Sequence, residues 1–397
     1  MKKVRFGIVG FGNIALHHAL GIIWNKNASV YAVCDLNQER LDLAKEWGIK
    51  NVYKDYHDLV KDPDVDAVDI CTHPGIRAEV AVAAAEAGKH IITEKPMCNS
   101  LAEADAMIDA AKRAHVKFMH AESYVFTRTH MEAMKLIDEG AIGKPVCIRE
   151  NFGGWRARRS YFGDESNEYV YGHKWARQPR VWQAPETPDL HGGGEYPTPF
   201  DHGPHFFGLA RYLMKNHSIE KVFAWSETIT RKTPDGRIFT AKNTPVVTWR
   251  YKDSKNNCYG TWTRTNGLDN YGFKTFVTGT EGAIEVLGEG GGSYSAGYKV
   301  PPLILHQQGK TTYIRIEDRP DIMWLSDVNY YNGAHQNELD HFVECILEEK
   351  EPRWTGVDGK MDIRLTLTMI KSAMEEKSID PMTLQRDWTA YGAMKKK

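Results

Sequence analysis

Three groups of residues have the types and spacing that chemistry requires. The first is Gly10-Phe11-Gly12-Asn13-Ile14-Ala15, which follows an apolar run and opens a helix-like one. Glycine at 10 permits a tight turn, glycine at 12 admits a pyrophosphate close to the backbone, and Ala15 allows close helix–strand packing. Asp35 ends a second apolar run about twenty residues later, where a dinucleotide motif needs an acid to hold a ribose hydroxyl. The second group is Thr93-Glu94-Lys95-Pro96, just past a strand-like run and therefore at the carboxyl edge where open α/β sheets bind ligands. Proline fixes the chain there, so Lys95 is presented on a defined turn. The bland alternative is a solvated surface charge. The third group is Asp201-His202-Gly203-Pro204-His205 at the head of a helix-like stretch. With a start near Gly203, Asp201 and His205 share a face: the histidine suits removal of a hydroxyl proton, and the carboxylate would orient it. An Asp cap beside an incidental histidine would produce the same letters.

These groups need elements to position them. From residue 1 to about 120, strand-like runs at 4–9, 30–34, 67–71, 90–93 and 117–120 alternate with helix-like stretches at 39–47, 79–87 and 101–114. This alternation predicts a doubly wound parallel sheet. Ser100 with Glu103 three residues on has the spacing of a capping box. A helix is predicted over 129–139 and a strand over 145–149, followed by a long irregular stretch, 153–200, rich in Gly, Pro, Trp, Tyr and Arg. After a helix at 201–214, runs at 221–230, 246–251, 259–263, 274–278 and 283–287 predict a mostly antiparallel sheet, and helices follow at 336–349 and 361–377. The expected architecture is α/β, a Rossmann-type dinucleotide-binding domain over 1–122 and an α/β domain with a large open sheet over 123–397.

At 397 residues and a formal net charge of −1, the chain suggests two domains and carries no broad basic field for nucleic acid or an anionic membrane. No secretory leader or membrane-spanning run is apparent, so a soluble cytoplasmic protein is expected. The six cysteines are far apart without a Cys-x-x-Cys pair, which favours free thiols over disulfides or zinc; no metal is expected.

Taken together, the glycine turn, Asp35, Glu94-Lys95-Pro96 and Gly192-Gly193-Gly194 followed by Asp201 and His205 resemble the Gfo/Idh/MocA oxidoreductase family across nearly the whole chain. The resemblance implies a nicotinamide cofactor and a catalytic trio of Lys95, Asp201 and His205. Cofactor contacts are expected at Gly10, Gly12, Asn13, Ile14, Asp35, Thr72, Glu94 and Lys95. NAD is expected over NADP because Asp35 would repel a 2′-phosphate, Leu36 follows it, and the nearest arginine is Arg40, a helical turn away. One departure is Thr72-His73-Pro74-Gly75-Ile76-Arg77, where the family commonly has Thr-Pro-Asn-x-x-His, so Arg77 takes the histidine's place.

Substrate contacts are expected from His120, Glu122 and Tyr124, after the last strand of the first sheet, where an interdomain contact is the equal alternative for each, and from Trp155, Arg156, Lys174, Trp175 and His191 in the long loop. Aromatic faces stack on sugar C–H faces while basic groups bond hydroxyls; a subunit interface has the same composition. The expected activity is reversible oxidation of a secondary hydroxyl on a sugar, polyol or glycoside. Two alternatives stand beside it: an NAD-retaining glycosidase working by oxidation, elimination, hydration and reduction, and a non-catalytic NAD- and sugar-sensing regulator. A homo-oligomer, dimer or tetramer, is implied by the resemblance and by β-runs such as 222–227 that lack a cleanly polar face.

Overall fold

A computed structural model describes residues 3–152, 169–170, 173–174, 192–232, 238–252, 258–264, 274–287, 303–316 and 329–394. Its first half runs β1 (Val4–Val9), α1 (Asn13–Trp24), β2 (Ala28–Cys34), α2 (Gln38–Glu46), β3 (Asn51–Tyr53), α3 (Tyr56–Lys61), β4 (Ala67–Ile70), α4 (Pro74–Glu86), β5 (His90–Glu94), α5 (Leu101–Arg113) and β6 (Phe118–Ala121). All six strands pair in parallel in the order β3-β2-β1-β4-β5-β6. The order reverses between β1 and β4, which opens a crevice at their carboxyl ends. Near-continuous burial of β1, β4 and β5 is what coverage on both faces demands.

A single 3₁₀ turn (Ser123–Phe126) and α6 (Arg128–Asp138) lead to β7 (Pro145–Phe152). After the short pair β8 (Tyr169–Val170) and β9 (His173–Lys174), α7 (Pro197–Leu213) precedes β10 (Ile219–Lys232), β11 (Ile238–Tyr251), β12 (Tyr259–Arg264), β13 (Lys274–Gly279), β14 (Gly282–Leu287), β15 (Leu303–Gln307) and β16 (Lys310–Ile314). The chain ends with α8 (Asn329–Leu347), α9 (Gly356–Glu375) and α10 (Ala390–Met394). The second sheet has the order β10-β11-β12-β7-β13-β14-β15-β16, open and antiparallel except where β12 meets β7. A Rossmann layer followed by a large, mostly antiparallel α/β unit is thus the architecture expected from the sequence.

Several boundaries differ. Pro197 starts α7 four residues before Asp201, because proline at the first helical position loses only an N–H that had no helical partner. Pro74 does the same for α4, which begins five residues before the predicted start. The Ser100 hydroxyl accepts from Glu103 N at 3.2 Å, yet Glu103 Oε2 reaches back to Asn99 N at 2.8 Å, one residue beyond a strict capping box. All six cysteines are buried and unbridged. No helix among the described residues is long and apolar enough to cross a membrane.

The two halves are stitched by the chain's end. Gly21 on α1 lets α8 lie close, since a Cβ there would stand 2.8 Å from Leu339. His120 N donates to Trp354 O at 3.0 Å, and Met119 bridges Thr355, so the β6 edge is paired rather than left open. On the second sheet, Ile148, Val222, Ala224, Trp249 and Trp262 point inward. Phe206 of α7 stacks on Trp262 at 4.4 Å, fixing the helix to the sheet.

The opposite face of that sheet carries Phe223, Trp225, Tyr259 and Tyr313, between 39 % and 57 % exposed. Ladder register puts all four on one side. An aromatic face of that kind is expected to be covered by a second copy of the chain. Light scattering at micromolar concentration should return a dimer or larger, and a monomer would mean the face stands in water.

Candidate active site

The glycine turn does what its composition requires. Gly10 has φ +85° and donates to Cys34 O at 2.8 Å, while a Cβ at Gly12 would meet nothing within 4 Å. No side chain caps α1, so its first-turn N–H groups stay available to a phosphate. Asn13 and Ile14 form that first turn. Asp35 Oδ2 accepts from Phe11 N at 2.7 Å and Oδ1 from Asn37 N at 2.8 Å, which fixes the carboxylate at the end of β2. Arg40 is buried on α2, where desolvation lowers its pKa. These residues fit the phosphates and ribose of a dinucleotide.

Thr72 lies against Gly10 at the end of β4, and Arg77 ties this edge together. Its Nε donates to Thr72 O at 2.9 Å, its Nη1 to Glu94 O at 2.7 Å, and Nη1 also bonds Pro96 O. The arginine in place of the family's histidine therefore holds the carbonyls on both sides of Lys95, across the cis Lys95-Pro96 peptide.

Lys95 Nζ is 2.9 Å from Asp201 Oδ1, with both side chains about one-tenth exposed. Asp201 Oδ2 is 3.4 Å from His202 Nε2. The carboxylate on His205 is a different one: Glu122 Oε1 lies 2.5 Å from His205 Nδ1. The expectation that Asp201 orients His205 is corrected by these contacts, although the two residues do stand one turn apart on α7. Tyr124 stacks on the His205 ring at 4.3 Å and an interplanar angle of 11°. Burial drives the His205 imidazolium well below its ordinary range, with the Lys95 charge adding to it, and burial pushes Glu122 up to about 8.

The expected substrate residues divide. Glu122 is fully buried beneath His205 and supports it rather than facing a ligand. His120 is fully buried against α9, where a Cβ on Gly359 would touch its ring, so it is an interdomain contact. Trp155, Arg156, Trp175 and His191 lie outside the described residues, as does the side chain of Lys174, whose backbone is in β9. Gly192, at φ +74°, packs its turn against Asn99.

Sequence reading missed three buried side chains, Glu150, His18 and Asp69. Arg77 was noticed only as a departure. Glu150 of β7 is fully buried, and desolvation with the Glu122 charge raises its pKa well above the ordinary range; alternation with Ile148 was the available signal. His18 and Asp69 form a buried pair at 3.0 Å, which the one-turn spacing of His18 from Ile14 hardly announces.

Comparison with known proteins agrees with this geometry. A model of an oxidoreductase family with an NAD-binding Rossmann fold matches residues 4–122, and that family's C-terminal alpha/beta domain matches 134–384. Myo-inositol 2-dehydrogenase of Thermotoga maritima is 28% identical over 382 residues, covering 95% of this chain and 98% of its own. Levoglucosan dehydrogenase of Pseudarthrobacter phenanthrenivorans is 35% identical over 161 residues, 38% of this chain and 41% of its own. Among solved structures, levoglucosan dehydrogenase complexed with NADH and levoglucosan aligns with a TM-score of 0.75 at 24% identity, over 96% of this chain and 99% of that one.

Arg77 yields a test. Replacement by Leu should orphan the carbonyls of Thr72, Glu94 and Pro96, each worth about 1–3 kcal/mol when buried and unmet. Urea unfolding should show a loss of about 3 kcal/mol or more, and a loss under about 1 kcal/mol would mean that water reaches these carbonyls.

Proposed function

The chain belongs to the Gfo/Idh/MocA oxidoreductase family, and from that premise we propose that it oxidises a ring hydroxyl of a cyclic sugar or polyol, reversibly and with NAD. One observation carries the reading: an ammonium, Lys95, at the carboxyl edge of the parallel sheet is paired with Asp201, one turn of α7 before the buried imidazole of His205. NAD, when bound, supplies the hydride acceptor. Lys95 holds the substrate oxygen and steadies negative charge developing on it, and Asp201 keeps that ammonium in place. His205 takes the hydroxyl proton at Nε2, because Nδ1 is committed to Glu122. A regulator that only sensed sugar would have no use for a proton-transfer pair. The substrate class rests on relatives that are named for myo-inositol and levoglucosan.

A panel of cyclic polyols, free sugars and aryl glycosides incubated with NAD tests the reading. NADH should accumulate with at least one cyclic polyol or sugar. Aglycone release without NADH would replace it with the NAD-retaining glycosidase, and silence throughout with the regulator.

Glu122 sets the expected pH dependence. Below about 8 its carboxyl carries a proton and donates it to His205 Nδ1, so Nε2 bears hydrogen and acts as an acid. Above that value the carboxylate accepts from Nδ1–H, and the Nε2 lone pair is a base. For hydroxyl oxidation kcat/KM should therefore rise with pH through about 8, while ketone reduction falls. Glu122→Gln should remove that limb, and His205→Ala should lower kcat by about two to four orders of magnitude. An unchanged profile in Glu122→Gln would detach the pair from catalysis.

Asp35 is expected to select NAD. Among the described residues Arg40, the nearest arginine in the sequence, is buried, which favours a free 2′-hydroxyl over a phosphate at Asp35. Comparable kcat/KM for NAD and NADP would contradict this.

A further inference from the structure

Behind the cofactor edge, four buried side chains converge from three elements: His18 of α1, Glu94 of β5, and His335 and Glu338 of α8. One potential ligand atom from each lies within 4.8 Å of the others. His18 Nε2 stands 3.3 Å from Glu94 Oε1 and 3.6 Å from Glu338 Oε1. Hydrogen bonds between such groups close to about 2.8 Å, whereas ligands about 2.0–2.2 Å from one tetrahedral ion stand roughly 3.3–3.6 Å apart. His335 Nδ1 and Glu338 Oε1, three residues apart on one face of α8, stand 2.7 Å apart, a hydrogen bond that an ion bound by both side chains would replace.

Two further observations point to an ion. His18 Nδ1 is held by Asp69 Oδ2 at 3.0 Å, and this outer carboxylate leaves Nε2 turned to the cluster, as in carboxylate–histidine–metal arrangements. Glu338 is fully buried, and its Oε2 has no hydrogen-bond partner. Asp69, Glu94 and Glu338 thus gather three carboxylates in a space closed to water, and such charge must be neutralised.

The geometry points to a structural metal site in which His18, Glu94, His335 and Glu338 bind one divalent cation of the zinc class, with Asp69 as the outer carboxylate. Two neutral imidazoles and two carboxylates make a neutral site with a divalent ion. Mixed nitrogen and oxygen donors suit zinc, cobalt, manganese or iron(II), whereas magnesium and calcium take oxygen alone. Four protein ligands leave no open position, so the ion would take no part in hydride transfer. It would tie α1, whose start faces the pyrophosphate, and Glu94, the neighbour of Lys95, to α8. Without an ion the same cluster must hold protons instead, with burial keeping Glu338 neutral and Asp69 keeping His18 charged against its burial.

The full-length protein, produced in medium supplemented with zinc and passed through gel filtration, should carry about one equivalent by elemental analysis, the stoichiometry of a single closed site. Chelation should lower Tm, and titrating the stripped chain with Co2+ should give a saturable visible ligand-field band. Glu338→Gln and His335→Gln should lose the band while still binding NADH by fluorescence. If those variants fail to fold, metal content and the Co2+ titration of the wild type decide alone. A stripped wild type with no cobalt band and no response of Tm to zinc would overturn the site. Equal cobalt binding by wild type and a folded Glu338→Gln would overturn it as well.

Discussion

The structure depends on taking ionisable groups out of water at the seam between its two sheets and giving each a partner. Glu122 meets His205, Lys95 meets Asp201, and His18 meets Glu338. Removing one member of such a pair strands the other in a low-dielectric interior, which is far more damaging than loss of a surface ion pair. The partners come from distant stretches of chain, so docking the halves and setting the protonation states are one event. A loosely docked chain would keep its residues and lose its chemistry.

Much of this was legible in the sequence because local rules governed it. The Gly10–Ala15 turn, the acid at 35 and the alternation of apolar runs fix a doubly wound sheet through steric and periodic demands that act over a few residues. Lys95 could be placed at the cofactor edge for the same reason. The partners of Asp201 and His205 could not, because helical spacing says only that two side chains share a face. The contacts that decide their roles, Lys95 for one and Glu122 for the other, depend on how α7 lies over β5 and the turn after β6. His335 and Glu338 were unreadable for the same reason: their meaning appears only when α8 packs on α1.

Boundaries moved where proline acted. The helices that begin at Pro197 and Pro74 were expected to start after these prolines, at 201 and 79, yet at the first helical position a proline loses only an N–H that had no helical partner and pre-sets φ. Residues 303–314 were passed over as strands, although β15 and β16 complete the second sheet there with only a two-residue turn at Gly309 between them. Arg77 illustrates a different limit. A motif comparison records a substitution, while the geometry shows a guanidinium fork replacing an imidazole as a brace for three carbonyls.

The paired edge of β6 bears on how the chain is made. By Ala121 all strands of the first sheet exist, but Trp354 and Thr355, which close that edge, and Leu339, which packs near Gly21 on α1, leave the ribosome long afterwards. During elongation a folded Rossmann layer therefore stands with an open strand edge and an uncovered apolar helix face, the features that invite wrong pairing between nascent chains. Vectorial synthesis thus makes the C-terminal helices a late-arriving cover. A ribosome stalled before residue 329 would present a surface for chaperones rather than a usable half-enzyme.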